Sequence, residues 1–445
     1  MASHVNIDAL TENNITLVND PNATLTALKS KLAHIQAAIK SVQESEHIDQ
    51  QILGAYKLAS KHVASLITKL SAHINSLPDI QESVPVVLTA HKKKMQSIPE
   101  PESAFQMDMF RTFISNAPND MSNTIEQWDS IPKYCLTAAQ VKKLRTPDGL
   151  AKSFTRTYTN RERDRGGKEQ VVNCSLSIQP AQITTKGKDG IEVELAYFPG
   201  QTEELIEEIL RKILLDQQLG VHSTKGEQTW VKFTLRMIEK ELKALNKSRG
   251  WDEIKRSLQI MKRCNLHWIK NGKAAYSGGI ILELLEVDRE DWEEDGNSMW
   301  AARLSSLVSL GINNLRYRQL NYARLTSLDD SLSRWIYRRM INRFRQASAT
   351  ETYSLSFSEL QQSSGLLEQA NDRSNRRKVS DSLQELITKG VINEYSSTEK
   401  KDGKKIIDVV YEITPSPKFI TEQIAGNKRT NQMVQDAQQR GIQIN

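Results

Sequence analysis

Apolar residues recur at helical spacing through the first part of the chain. One stripe runs from Leu28 to Ile39 and a second from Ile48 to Ile74. Residues three and four apart share one face of a helix, so this spacing predicts two amphipathic helices that end before Pro78. The sequence therefore predicts a helical N-terminal module over residues 1–100, followed by a linker with short helices over 101–152. The module could serve oligomerisation or partner docking, or it could be a packed accessory bundle.

From Ser153 the pattern changes to short β-branched runs with partial alternation, which predict strands. Helical periodicity returns at Thr202, where the elements follow the order helix, strand, helix, turn, helix, hairpin. An Asn-Gly pair between strands is a strong hairpin signal. The elements predicted in this segment are a helix over 203–217, a strand over 230–233, a helix begun by Thr234, a helix over 251–264 capped by Ser248, and a hairpin with strands 266–269 and 279–287 around Asn271-Gly272.

The same order recurs over residues 329–413, and an internal repeat is harder to obtain by chance than a single motif. This order is that of a winged helix. The sequence thus predicts an α+β chain with a first winged-helix domain over 153–295, including its leading strands, a second over 296–415, and a tail over 416–445. The second segment is predicted to contain an arginine-rich helix from Asp330, a strand over 353–357, a helix started by Ser358, a helix from Asp372, and a hairpin with strands 391–395 and 406–413.

Positive charge is concentrated in one stretch, although the formal net charge of the chain is only +6. Between Arg303 and Arg345 nine arginines stand against two acids, whereas acidic runs occupy 203–208 and 283–295. In this stretch a strand-like run over 315–325 precedes a helix that is apolar on one face and arginine-rich on the rest. Such segregation is typical of a surface that faces nucleic acid, although a solvated cationic face has the same pattern.

The second predicted domain contains the candidate base-reading residues. A recognition helix presents its N-terminal half to base edges in the major groove, where arginine suits guanine and asparagine suits adenine. A winged helix that binds only protein would show the same elements, and the less basic first domain leaves this alternative more open. The candidate base-contacting residues are Arg373, Asn375, Arg376, Arg377 and Lys378.

Two further sets of polar side chains are candidates for contact with a partner. Lysines on a hairpin and arginines on a helix suit phosphates, which give affinity rather than sequence choice. Arg334 lies near the predicted buried face and could pair with an acid instead. The candidate phosphate-contacting residues are Arg334, Arg338, Arg339, Lys400, Lys401, Lys404 and Lys405. A DNA or dimer face of the first domain is predicted at Lys255, Arg256, Gln259, Lys262 and Arg263.

Several chemistries have no motif in the sequence. There is no G-x-x-x-x-G-K-[ST] phosphate loop, the eight histidines are scattered, and the three cysteines share no metal-ligand spacing. We therefore expect no metal, no cofactor and no enzymatic activity. The scarcity of cysteine favours a reduced, cytoplasmic compartment. No apolar run approaches ~18 residues, and the N-terminus lacks a signal-peptide pattern, so we expect no membrane segment.

Three runs of sequence resemble plasmid replication initiators of the RepA/TrfA type, which carry tandem winged helices: RQLNYARLTSLDDSLSRWIYRRMINRF, SLSFSELQ and RRKVSDSLQELITKGVI. The resemblance covers about residues 195–415 and is one of layout and local pattern. It implies a bacterial cytoplasmic protein that binds direct repeats, or iterons, in double-stranded DNA at a replication origin. It also implies local opening of an AT-rich segment, recruitment of a host helicase or initiator, and a homodimer in exchange with monomer that controls copy number.

Two other functions fit the same residues. A winged-helix transcription regulator or partition factor would use the N-terminal helices to dimerise. An enzyme that nicks an origin through a tyrosine belongs to another class, and a nicking assay with divalent metal would distinguish it from the DNA-binding proteins.

Overall fold

The computed structural model describes residues 121–163, 169–186, 192–215, 219–223, 228–287 and 299–439, together with isolated positions between 32 and 68. The chain divides into two compact units, Met1–Pro85 and Val86–Asn445. Every described position of the first unit is helical, in agreement with the helices predicted there. Residues 101–120 of the predicted linker with short helices lie outside the described residues.

The second unit is a mixture of helices and antiparallel strands, which confirms the α+β class. The helices are α1 Glu126–Asp129, α2 Ala138–Leu144, α3 Gln201–Leu214, α4 Leu235–Ala244, α5 Trp251–Arg263, α6 Ser306–Asn313, α7 Tyr322–Ser327, α8 Ser331–Arg343, α9 Phe357–Ser364, α10 Asp372–Thr388 and α11 Pro417–Gln439. The strands are β1 Met121–Thr124, β2 Phe154–Arg163, β3 Glu169–Gln179, β4 Ala181–Lys186, β5 Glu192–Tyr197, β6 Gly220–Ser223, β7 Gln228–Phe233, β8 Asn265–Lys270, β9 Lys273–Gly278, β10 Ile281–Leu285, β11 Trp300–Leu304, β12 Arg318–Asn321, β13 Tyr353–Ser356, β14 Ile392–Asp402 and β15 Lys405–Pro415.

Strand pairing is antiparallel in all the described sheets. The two four-stranded sheets have the orders β2-β3-β8-β9 and β10-β11-β7-β6, and a three-stranded sheet has the order β13-β15-β14. Strands β1 and β12 form one pair, and β4 and β5 form another. The first two sheets belong to one hydrophobic core, called here the first core, and the three-stranded sheet belongs to the second core.

The first core extends further along the chain than the predicted boundary at 295 and 296. Strand β11 pairs with β7, in the register Trp300↔Phe233, and so completes a sheet of the first core. Buried residues of the first core continue to Tyr322, and those of the second begin at Leu320. The predicted boundary at 295 is therefore wrong. Strand β11 lies with the first core because it pairs with β7, which is far from it in sequence.

The two repeated segments share an order of helices but differ in strand pairing. In the second segment β13 pairs with β15, which pairs with β14. In the first, β8 turns through Asn271-Gly272 into β9, as predicted, and both central residues have positive φ. The predicted return strand over 279–287 is wrong, because Ile281–Leu285 pairs with β11 instead. Thr234 caps α4 as predicted, but Gly250 rather than Ser248 is the N-cap of α5.

Residues 121–152 and 416–439 are integral parts of the second unit, although the sequence predicts a linker and a tail there. Trp128 is fully buried in the first core, and β1 pairs with β12. Helix α11 buries Phe419 in the second core, while Met433 packs against the first. These segments were missed because α1 is a single short turn and α11 is rich in polar residues. The strand-like run over 315–325 is likewise divided between β12 and α7.

Replacing Trp128 by Ala is expected to lower the free energy of unfolding by about 3–5 kcal/mol, because it leaves a cavity in the first core. The matched control is Trp251→Ala, since the Trp251 side chain is 52% exposed. Urea unfolding of both variants tests the placement of Trp128. Equal and small losses in the two variants would show that residues 121–152 do not belong to this core.

Candidate nucleic-acid interface

Helix α10 has one buried face and one exposed polar face. Its N-cap is Asn371, whose side chain accepts a hydrogen bond from the Ser374 backbone N–H at 2.8 Å. The buried face packs into the second core through Val379, Leu383 and Leu386. The opposite face is exposed, and its side chains follow each other three or four residues apart, as on one side of a helix. They are Arg373, Arg377, Asp381, Gln384 and Thr388.

The three predicted base-contacting arginines differ in their exposure to solvent. Arg373 is exposed, and the Arg377 side chain is 84% exposed, with its Nε 3.9 Å from an Asp381 carboxylate oxygen. Arg376 is half-buried, and its guanidinium lies 5.8 Å from the centre of the Phe357 ring on α9. Arg373 and Arg377 are therefore placed to reach a ligand beside α10, whereas Arg376 is held against α9.

Asn375 cannot contact bases, contrary to the sequence prediction. Its side chain is fully buried, where Oδ1 accepts from the Gln369 N–H at 3.0 Å and Nδ2 donates to the Gln369 carbonyl at 3.2 Å. The spacing gives the reason, since Asn375, Val379 and Leu386 lie on one face of the helix. Lys378 is also engaged, because its Nζ donates to the carbonyl oxygen of Leu366 at 3.1 Å.

Asp381 and Gln384 are exposed residues that the sequence analysis missed. They follow Arg377 by four and seven residues and so continue its face of α10. Counting helical spacing from Arg377, instead of scoring basic residues, would have found them. Both side chains are able to hydrogen-bond a base edge.

The hairpin of β14 and β15 extends beyond the second core. Its strands run to Asp402 and from Lys405, so they are longer than predicted, and a two-residue turn at Gly403 and Lys404 joins them. Lys401 is 2.8 Å from Glu399 in an exposed pair, which costs little to break. The lysines predicted to contact phosphates are exposed at this end: Lys400, Lys401, Lys404 and Lys405.

Two arginines of α8, Arg334 and Arg338, are buried in ion pairs with α3, so the prediction that they contact phosphates is wrong. Arg334 is 1% exposed, and its Nη2 lies 2.8 Å from Glu204 Oε2. Arg338 donates to Glu204 Oε1 at 2.8 Å and to Glu208 Oε1 at 3.0 Å. Hydrogen bonds between charged groups are strong, and one carboxylate here bridges two guanidiniums. The possibility that Arg334 pairs with an acid is thereby confirmed.

Arg339 is also unavailable to DNA. Its side chain is 8% exposed, its guanidinium bonds to the Glu359 carboxylate on α9, and it stacks over the Trp335 ring at 5.1 Å. Arg343 lies 2.9 Å from Glu126. Arg343 therefore joins α8 to α1 of the first core, whereas Arg339 pairs within the second core.

The acidic run of α3 continues the buried network towards α1. Glu207 accepts hydrogen bonds from the Trp128 indole and, at 2.6 Å, from the Tyr134 hydroxyl. Arg211 donates to Asp129 Oδ1 at 2.5 Å and to Glu207 Oε1 at 3.0 Å. The network thus links α1, α3 and α8, and the acids of 203–208 are structural rather than a solvated surface.

Two glutamates of this network have pKa values shifted in opposite directions. Burial by itself raises the pKa of Glu204, but the charges of Arg334 and Arg338 outweigh it and lower the pKa to about 2. Burial also raises the pKa of Glu208, and there Arg338 and Arg211 offset it only in part. Among the described residues the Glu208 Oε2 atom has no hydrogen-bond partner.

Helix α5, which carries the predicted interface of the first domain, is partly covered by the β4–β5 hairpin. The Arg256 guanidinium lies 5.9 Å from the Tyr197 ring, and Arg263 donates to the Gln182 carbonyl at 3.2 Å. Gln259 bonds to the Glu286 carboxylate. Lys255, Lys262 and Arg263 are exposed. A DNA or dimer role for this face would therefore depend on these three side chains.

Within the described ranges no group of three or more His, Cys, Asp or Glu side chains is arranged to hold a metal ion. Of the helices in those ranges, none is long and apolar enough to cross a membrane.

Comparisons with known proteins give a distant likeness. No known protein family and no curated protein matches the chain. Among solved structures, a crystal structure of Pi initiator protein in complex with iteron DNA matches with a TM-score of 0.28 and 11% identity. The match covers 68% of this chain and 99% of that chain. A likeness this weak shows neither a shared fold nor a shared activity.

Replacing Glu204 by Gln is expected to lower the free energy of unfolding at pH 7 by about 3–5 kcal/mol, because Arg334 and Arg338 lose their buried counter-charge. The folded-state pKa of Glu204 is depressed from 4.5 to about 2. Its contribution is thus complete above pH 4.5 and is lost as the pH falls towards 2, so the gap between wild type and variant should narrow over that range.

Chemical denaturation at a series of pH values measures this gap. The control is Glu253→Gln, which breaks an exposed pair with Arg249 and should change stability by less than about 0.5 kcal/mol. A Glu204→Gln gap that stays constant from pH 7 to 2 would contradict the assignment.

Proposed function

We propose that this chain binds double-stranded DNA through its second module, taken here as residues 328–415, and that this module is a winged helix. Its elements follow the order α8, β13, α9, α10, β14 and β15, with β13 paired to β15 as the third strand of the hairpin sheet. The observation that carries the proposal is the exposed face of α10, where Arg373, Arg377, Asp381 and Gln384 lie in one stripe.

The dimensions and chemistry of this stripe suit a major groove. The major groove is about 12 Å wide and admits an α-helix. The stripe from Arg373 to Gln384 runs for roughly 16 Å along the helix, at 1.5 Å per residue. Arg377 would donate to guanine O6 and N7, Asp381 would accept from cytosine N4, and Gln384 would pair with adenine. The hairpin lysines would contact phosphates beside the groove and supply affinity.

We further propose that the bound DNA is a set of direct repeats at a replication origin and that the chain initiates replication there. This part is supported by the sequence resemblance to plasmid initiators of the RepA/TrfA type. Under this proposal the chain opens DNA through binding energy and recruits a host helicase or initiator, without a cofactor. The segment of the first core, which extends to Tyr322, and residues 1–85 would then serve exchange between monomer and dimer. A transcription regulator would bind similar DNA without supporting replication.

Replacing Arg377 or Arg373 by Ala should weaken specific binding by about 1–3 kcal/mol for each lost base contact, with a smaller effect on random DNA. The specific probe is a duplex selected from a random pool by the wild-type protein. The control is Arg345→Ala, an exposed arginine after the end of α8. Equal losses on selected and random duplexes would show that α10 contacts only phosphates.

Replacing Lys400, Lys401, Lys404 and Lys405 together by Ala should weaken binding to all duplexes and flatten its salt dependence. Each phosphate contact contributes about 0.9 to the slope of log affinity against log salt. Titrations at several salt concentrations measure this slope. A slope equal to that of the wild type would exclude the hairpin from the DNA-bound surface.

Initiation itself is tested by supplying the chain in trans to a non-replicating plasmid that carries the DNA flanking its gene. We expect replication with wild type and none with Arg377→Ala. Binding to the flanking repeats without replication would favour the transcription regulator. Strand cleavage in the presence of divalent metal would favour a nicking enzyme.

A further inference from the structure

The outer end of the β14–β15 hairpin contains a β-bulge at Ile407. Lys400 pairs with Asp408 and Lys401 pairs with Ile406, so Ile407 has no partner residue in the register. A bulge leaves one extra residue unpaired and redirects its side chain. Here Ile406 packs against the second core, whereas Ile407 is 59% exposed.

The surroundings of Ile407, residues 399–408, carry four lysines and three acids, and one of these acids, Glu399, pairs with Lys401. Lys404 and Lys405 precede it, Lys400 and Lys401 lie on the paired strand, and all four are exposed. An isolated exposed isoleucine needs no explanation by itself. An isoleucine placed by a bulge among four lysines, at the end of a narrow hairpin, combines apolar contact with attraction to phosphates. That combination is typical of side chains that enter the minor groove of DNA.

We propose that Ile407 is an apolar contact in the minor groove of duplex DNA, next to the major-groove segment that α10 occupies. This inference rests on the proposed DNA-binding function and adds a specificity to it. The guanine 2-amino group projects into the minor groove, whereas A·T pairs show only acceptors there. An isoleucine has no group to bond that amine and would be pushed away by it. Ile407 therefore favours A·T pairs at the position it contacts.

An anionic membrane surface would also attract lysines around an apolar side chain. A membrane-binding helix buries a whole apolar face, whereas this hairpin end offers one isoleucine. The hairpin also packs on the same core as α10, whose opposite face is exposed. Both observations favour DNA.

The test compares Ile407→Ala with the control Ile424→Ala, because Ile424 on α11 is 60% exposed and distant in sequence. Binding is measured to double-stranded poly(dA-dT), poly(dG-dC) and poly(dI-dC). An inosine·cytosine pair carries the minor-groove groups of A·T and the major-groove groups of G·C, so it tells the two grooves apart. Vesicles of phosphatidylcholine with phosphatidylglycerol serve as the membrane probe.

We expect Ile407→Ala to bind poly(dA-dT) and poly(dI-dC) about tenfold more weakly than wild type does, with an unchanged salt slope. Its affinity for poly(dG-dC) should equal that of the wild type. Ile407→Leu should bind as wild type does, and Ile424→Ala should change nothing. Equal effects on all three polymers, or an effect on poly(dA-dT) alone, would overturn the minor-groove contact. So would a loss confined to vesicles. Failure of the wild type to bind any duplex would instead refute the proposed DNA-binding function, and this inference with it.

Discussion

The bridge from Glu204 to Arg334 and Arg338 is the interaction on which the arrangement of the second unit depends. A carboxylate and two guanidiniums are removed from water together, and each would be costly to bury alone. The bridge connects α3, which packs in the first core, to α8, which packs in the second. Because the hydrogen bonds of this bridge form only when both helices are in place, the bridge fixes the two cores to each other. Within the described ranges the Oε2 atom of Glu208 has no hydrogen-bond partner in this junction, and burial raises the pKa of that carboxyl.

This use of arginine changes which surfaces are available for the proposed DNA contact. The most basic stretch of the sequence forms a structural junction, because the arginines of α8 pair with acids of α1, α3 and α9. Most of the exposed basic side chains of the second module lie on α10 and at the end of the hairpin. Both elements pack on the second core, which holds them rigidly, and their polar side chains have few partners inside the chain. A rigid base with free side chains is what recognition of a groove requires.

Local features of the fold were predictable from the sequence, whereas contacts between distant segments were not. The helical stripes of α3, α4, α8 and α10, the Asp330 cap and the Asn271-Gly272 turn follow from neighbouring residues. The pairing of β7 with β11 and the burial of Trp128 depend on partners about 70 or more residues away. Arg334 meets an acid 130 residues earlier, and no local pattern specifies that partner. Asn375 was misplaced for a different reason, because composition was given more weight than its spacing from Val379.

The central claim is that α10, rather than the arginine-rich α8, faces DNA. The most direct measurement places a photo-crosslinking amino acid at Gln384 on α10 or at Gln346, just after α8, since both side chains are exposed. Each protein is bound to a duplex selected by the wild type and irradiated, and crosslinked DNA is quantified. We predict a crosslink from position 384 that maps to a base within the selected sequence, and none from position 346. A crosslink from position 346 with none from 384 would contradict the account.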